Sequence, residues 1–173
     1  VFVMQMLWEK LVINKKLRNN SFLILSIFIF ILDFSSKYFL INYYDLGSKG
    51  RVYLTPFLDF ILVLNPGISF GILSNGNEIQ RWIISIISIF AIIYLYYWST
   101  KSTSKLTKIS LFIIIGGALG NVFDRLFYGK VIDFISLHVL DYYWYVFNIA
   151  DIAIVLGGLM VLADLTRETF VNK

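Results

Sequence analysis

The chain has no cysteine and a single histidine, His138, which excludes disulfides, thiol nucleophiles and any Cys/His metal cluster. A histidine-based triad would rest on His138 alone, and that residue reads more simply as an interfacial loop side chain. No HExxH zinc helix and no glycine-rich phosphate loop is present, so no metal or organic cofactor is implied. Charge is scarce as well: 15% of residues are Asp, Glu, Lys or Arg, against about 25% in a soluble domain. The formal charge of +4 is spread along the chain and not gathered on one face, which argues against nucleic acid as a partner.

What the chain has in excess is apolarity. It is 58% hydrophobic and 18% aromatic, with a mean hydropathy of +0.76. A soluble domain is about 45–50% apolar, so this composition is that of an integral membrane protein. Its length suits one compact domain over 1–173. A bilayer core needs about 20 predominantly apolar residues per helix, and four stretches meet or approach this, at about 21–41, 80–98, 108–127 and 143–164. The second ends in Tyr94-Leu95-Tyr96-Tyr97-Trp98, an aromatic cluster of headgroup type. The first contains Asp33 and Lys37 and lacks a small-residue cleavage site after it, so it reads as a retained helix and not a signal peptide.

Charge sets the orientation. Residues 1–20 carry Lys10, Lys15, Lys16 and Arg18 against Glu9, and 99–108 carry Lys101, Lys105 and Lys108 with no acid. By the positive-inside rule both termini and the 99–108 loop are cytoplasmic. The segments 42–79 and 128–142 then lie outside. Within 42–79, the β-branched and aromatic runs Val52–Thr55 and Phe57–Leu64, punctuated by Pro56 and Pro66, predict short strands ending at the turn Asn65-Pro66-Gly67. A re-entrant helix there is the competing reading.

Polar residues inside this frame are few and patterned. Asp133 and Asp151 stand at the edges of apolar stretches, where carboxylates are rare, and two carboxyl groups suffice for acid–base activation of water. Asp33 and Lys37 share a helix face as a neutralising pair, Asn121 and Arg125 share another, and Asn148 and Asp151 a third. Asp124 reads as the neutraliser of adjacent Arg125. Gly116 and Gly120, and further on Gly157-Gly158, predict close helix crossings. Together these polar groups fall at the outer ends of their segments and predict one site beneath a β-rich flap. A small proton- or ion-coupled transporter is the alternative, although no internal repeat is visible.

Five blocks carry a resemblance: Asp33-Phe34-Ser35-Ser36-Lys37; Asn65-Pro66-Gly67-Ile68-Ser69-Phe70; Gly116 through Arg125; Val131-Ile132-Asp133-Phe134-Ile135; and Phe147-Asn148-Ile149-Ala150-Asp151. In this order they resemble lipoprotein signal peptidase, the type II signal peptidase of bacteria, over about 21–165. Ser69 stands where that family usually has alanine. The resemblance implies a mainly α membrane protein with four transmembrane helices and a small extracytoplasmic β-rich cradle. It implies an aspartic endopeptidase of the bacterial cytoplasmic (inner) membrane, acting at the outer face. Such an enzyme removes the signal peptide of a diacylglyceryl-modified prolipoprotein before its lipidated cysteine. Carried over by motif, Asp133 and Asp151 are catalytic, while Asp33, Lys37, Asn65, Gly67, Asn121, Arg125 and Asn148 support the site or contact substrate. Which aspartate is acid and which is base stays open. The expected partners are the prolipoprotein substrate and membrane lipid, and the expected state is a monomer.

Overall fold

The computed structural model describes residues 2–67, 78–140 and 142–171. In chain order it contains α1 (Phe2–Asn42), α2 (Leu46–Lys49), β1 (Val52–Thr55), β2 (Leu58–Asn65), α3 (Glu78–Lys101), α4 (Lys105–Tyr128), β3 (Val131–Val139), β4 (Tyr142–Tyr143) and α5 (Ile149–Val171). Four helical stretches are long and apolar enough to cross a membrane: Ser21–Asn42, Glu78–Lys101, Lys105–Tyr128 and Ile149–Arg167. Their outward faces expose large apolar side chains such as Phe28, Ile87, Phe90 and Leu159, as expected where lipid is the solvent.

Helix α1 extends back to Phe2, well before the apolar run begins. Lys15, Lys16 and Arg18 end that run without ending the helix, because Lys and Arg are good helix formers in water. The fourth helix starts later than the expected 143. Tyr142 and Tyr143 pair with Val139 and His138 as β4, and Phe147 exchanges backbone hydrogen bonds with Ile135 at 2.8 and 3.0 Å. Strand pairing takes up backbone groups that an earlier helical start would need.

The sheet is antiparallel, in the order β1-β2-β3-β4. The strands expected in 42–79 are present up to the Asn65-Pro66-Gly67 turn, with the one-turn helix α2 before them; residues 68–77 lie outside the described set. Segment 128–142 is not only a connecting loop, since β3 is the longest strand. Residues Val131 to Phe134 are all buried, so the run lacks the polar–apolar alternation that marks a strand. His138 is therefore a strand residue, and its Nε2 lies 3.0 Å from Asp59 Oδ1. Arg51 donates to the other Asp59 oxygen at 2.6 Å and stacks over the Tyr143 ring, so this fully buried acid cross-links β1, β2 and β3.

Helix α4 is the most buried of the four and packs against the other three. Glycine permits the approach. A Cβ on Gly116 would stand 2.7 Å from Ser26 O of α1, and one on Gly117 would strike Ala150 O of α5. At the end of the bundle away from the sheet, Asp164 accepts from the backbone N–H (3.1 Å) and hydroxyl (2.6 Å) of Thr107 and from the Ser104 hydroxyl, closing the N-terminus of α4 onto α5.

The expected crossing at Gly157-Gly158 belongs to Gly157 alone. Its Cβ would lie 2.8 Å from Ser110 O, whereas nothing lies within 4 Å of a Cβ on Gly158. Gly157→Ala is therefore expected to destabilise the fold by about 1–3 kcal/mol, through overpacking. Gly158→Ala is expected to be neutral or slightly stabilising, because alanine favours a helix interior. Thermal unfolding of both variants in detergent checks the contrast, and equal shifts would refute the assigned crossing.

Candidate active site

The site forms where the C-terminal parts of α1 and α4 and the start of α5 meet β2 and β3. Strand pairing sets its first contact. Asn65 is registered against Val131, two residues from Asp133, so both side chains emerge on one sheet face. Asn65 Nδ2 then donates to Asp133 Oδ2 at 3.0 Å, and Asn65 Oδ1 accepts the Gly67 N–H at 3.0 Å, which fixes the carboxamide orientation. Gly67 O in turn accepts from Arg125 Nη2 at 2.8 Å, while Arg125 Nη1 reaches Asn121 O at 3.2 Å.

Helix α5 supplies the second acid by a local rule. Asn148 precedes its first residue and Asp151 occupies the third helical position, the arrangement of a capping box. Asn148 Oδ1 accepts the Asp151 N–H at 2.9 Å, and Asp151 Oδ2 accepts the Asn148 N–H at 3.3 Å. The same Asn148 spends its Nδ2 on Asp133 Oδ1 (2.6 Å), Asn121 Oδ1 (3.2 Å) and Ile132 O (3.3 Å). Asn121 Nδ2 donates to Asp151 Oδ1 at 2.8 Å. Two carboxamides thus join the two carboxyl groups in a closed relay.

Beneath the relay lies a buried ionic group. Lys37 Nζ is 2.6 Å from Asp33 Oδ2 and 2.7 Å from Asp124 Oδ2. The expected Asp33–Lys37 pair is present; the ion pair of Asp124 is with Lys37, while on its neighbour Arg125 it acts only as a nearby charge, after Asp151 and Asp133. The reason is direction: adjacent helical residues point about 100° apart, so Asp124 faces α1 while Arg125 faces the turn at Gly67. Gly120 makes room for the group, as a Cβ there would stand 2.6 Å from Asp33 Oδ2.

Asp133 is 1% exposed, and burial is the main reason its carboxyl is pushed up to about 7 from an ordinary 3.8. The nearby Asp151 charge pushes the same way. Hydrogen bonds from Asn65 and Asn148 and the charge of Lys37 oppose both. Asp151 opens instead onto an apolar cleft of about 710 Å³, whose walls include Phe57, Leu137, Trp144, Ile152, Val155 and Leu156.

All of the expected site residues, Asp33, Lys37, Asn65, Gly67, Asn121, Arg125, Asp133, Asn148 and Asp151, are joined in this one network. Gly67-Ile68-Ser69-Phe70-Gly71 also spells the GxSxG pattern of serine hydrolases. That motif functions as a strand-to-helix elbow in an α/β-hydrolase sheet, whereas Gly67 follows a strand of a small antiparallel sheet. Ser69 itself lies outside the described residues.

A paired-acid site among apolar helices, beside an apolar cleft of about 710 Å³, points to a class: multi-pass membrane enzymes. Comparison with known proteins narrows it. Residues 25–167 match the family described as signal peptidase (SPase) II, and the chain belongs to that family. It is 42% identical over 139 residues to the lipoprotein signal peptidase of Beijerinckia indica subsp. indica, covering 80% of this chain and 83% of that one. It is 39% identical over 157 residues to that of Polynucleobacter necessarius subsp. necessarius, covering 90% and 95%. A solved structure described as a bacterial membrane enzyme superimposes with a TM-score of 0.74 at 29% identity, over 89% of this chain and 92% of that chain. Another gives 0.68 at 28% identity, over 84% and 92%. The chain is therefore a lipoprotein signal peptidase by family, and the transport alternative is left without support.

Proposed function

We propose that Asp133 and Asp151 are the catalytic dyad of an aspartic endopeptidase acting on diacylglyceryl-modified prolipoproteins. The observation that carries this reading is the carboxamide relay: Asn148 and Asn121 hold two carboxyl groups together, one buried and one at the cleft. Asp133, whose proton is retained to about pH 7, is the resting acid, and Asp151 is the base. Asp151 removes a proton from water as its oxygen attacks the scissile carbonyl carbon, and Asp133 protonates the carbonyl oxygen. Collapse of the resulting diol breaks the C–N bond as a proton passes to the leaving nitrogen.

The apolar cleft suits the diacylglyceryl chains, since each buried CH₂ contributes about 0.8 kcal/mol. Lys and Arg at 10–18 and 101–108 support cytoplasmic termini, with the site at the outer face of the bacterial inner membrane. The protein acts as a monomer, without metal or cofactor.

The test is cleavage of a diacylglyceryl prolipoprotein by the purified protein in detergent, beside the unlipidated peptide. Cleavage before the lipidated cysteine only is expected, and no cleavage by folded protein refutes the assignment. The acid assignment has its own signature. Turnover is expected to fall as pH rises through about 7, where Asp133 loses the proton it donates. A profile still climbing at pH 9 would reverse or remove that assignment, because the two groups titrate as a pair.

A further inference from the structure

We infer that Asp33, Lys37 and Asp124 form a positioning device that sets the distance between the two reacting carboxyl groups by gripping the backbone next to each. Asp33 Oδ1 accepts the N–H of Ala150 at 2.9 Å, the residue immediately before Asp151. Asp124 Oδ2 accepts the N–H of Ile132 at 3.1 Å, the residue immediately before Asp133. Lys37 joins the two grips, with its single ammonium in contact with both carboxyl groups. This inference rests on the dyad reading above.

The symmetry is what an ordinary buried ion pair lacks. A pair present only to neutralise charge has no reason to accept two N–H groups belonging to a strand and a helix far apart in sequence, one on the Asp33 oxygen that Lys37 leaves free and one on the Asp124 oxygen that Lys37 also contacts. Here four elements are joined through Lys37: α1 carries Asp33 and Lys37, α4 carries Asp124, and the gripped amides lie at the starts of β3 and α5. All three side chains are buried, at 1%, 2% and 2% exposure, so solvent does not loosen the contacts. Above the dyad, β3 and α5 are tied through the Asn148 side chain and the bridge between Ile135 and Phe147. The ionic group is a second tie between the same two elements, made through the backbone N–H groups of Ile132 and Ala150. Gly120, pressed against Asp33, leaves α1 and α4 close enough for one lysine to reach both carboxyl groups.

Positioning acts on the reacting geometry and not on substrate capture, so its loss should appear in kcat and not in KM. A displacement of about 1 Å in a reacting group lowers the rate on the order of 10²-fold. Two variants separate the grips. Lys37→Met keeps an unbranched side chain one atom shorter and removes the link, so kcat is expected to fall about 10²-fold with KM within about twofold. In Asp33→Asn one acceptor oxygen remains where two contacts were made; the Lys37 ammonium, which cannot accept from the new NH2, keeps that oxygen, so Ala150 is released. Its kcat is expected to fall about tenfold.

Amide hydrogen exchange on the same proteins reads the grip without any turnover. Lys37→Met should speed exchange at both Ile132 and Ala150, and Asp33→Asn at Ala150 while Ile132 stays protected. Exchange within α3 should not change in either. Wild-type kcat in either variant, or a kcat loss accompanied by uniform loss of protection in all helices, would overturn the inference. Should Lys37→Met fail to accumulate, the near-isosteric Asp33→Asn decides. Asp133→Asn serves as the control for an inactive protein with both grips intact. A wild-type protein that does not cleave would refute the peptidase chemistry, while the exchange pattern would still report whether the grips exist.

Discussion

Asp133→Asn is expected to lower turnover by about 10³-fold or more, within the range by which general acid–base groups accelerate reactions. Shape is not the reason. Both carboxyl oxygens of Asp133 receive carboxamide donors, from Asn65 at 3.0 Å and Asn148 at 2.6 Å, and an asparagine occupies the same volume. What disappears is the exchangeable proton. The same substitution has an opposite effect on stability. The carboxyl of folded Asp133 binds its proton to about pH 7, whereas the unfolded chain releases it near the ordinary 3.8. The stability this group contributes is complete below the lower value and is lost as pH rises through the upper one. Asparagine cannot ionise, so the melting temperature of the variant relative to wild type should rise between pH 5 and pH 8. The differential is on the order of a few kcal/mol, offset by about 1 kcal/mol for one mismatched amide contact. Steady-state turnover and thermal unfolding in detergent at the two pH values test both halves. Turnover above a few per cent, or a relative melting temperature that falls with pH, would contradict the role given to Asp133.

Asn148→Ala is expected to cost both activity and stability, because Asn148 is the node of the relay. Its Oδ1 caps α5, and losing an N-cap costs about 1 kcal/mol. Its Nδ2 serves Asp133, Asn121 and the Ile132 carbonyl, and truncation leaves buried acceptors without their donor at about 1–3 kcal/mol each. The total is at least about 3 kcal/mol, with turnover down on the order of 10²-fold as the two acids lose their common orienting group. Asn148→Asp separates these effects. It preserves the cap oxygen while placing a third carboxyl against Asp133, so it is expected to fold at low pH and to lose stability as pH rises. Circular dichroism melts and turnover of the pair distinguish a node from a simple cap. An Asn148→Asp protein as active as wild type at pH 7 would remove Asn148 from the site.

Much of the site was legible because its chemistry is written in short motifs. Asn148 and Asp151 meet through a local capping box, and Asp33 and Lys37 through one helical turn, so spacing alone brings each pair together. The readings that failed involve partners distant in the chain. Asp124 was matched to adjacent Arg125, yet it bonds Lys37 on another helix. Sequence pattern alone reads His138 as a loop residue, whereas it lies on a strand and its ring contacts Asp59, 79 positions away. Strand β3 escaped notice because burial on both faces erases the period-two pattern by which strands are found.

Hydropathy and charge bias are properties of contiguous residues, and the bilayer reads them segment by segment. The sequence by itself therefore determined four spans, their expected orientation, the family and the identity of the polar groups at one end of the bundle. Tertiary structure decided which of those groups touch. Only packing of α4 between α1 and α5 presents Lys37 to Asp124. Only the β2–β3 register turns Asn65 toward Asp133. Only the folded site, by burial first and the neighbouring Asp151 charge second, lifts the Asp133 carboxyl to about 7. The physical reason is common to all three: hydrogen bonds and ion pairs are angstrom-scale contacts between side chains that no local rule brings together, and they form where the fold closes over them.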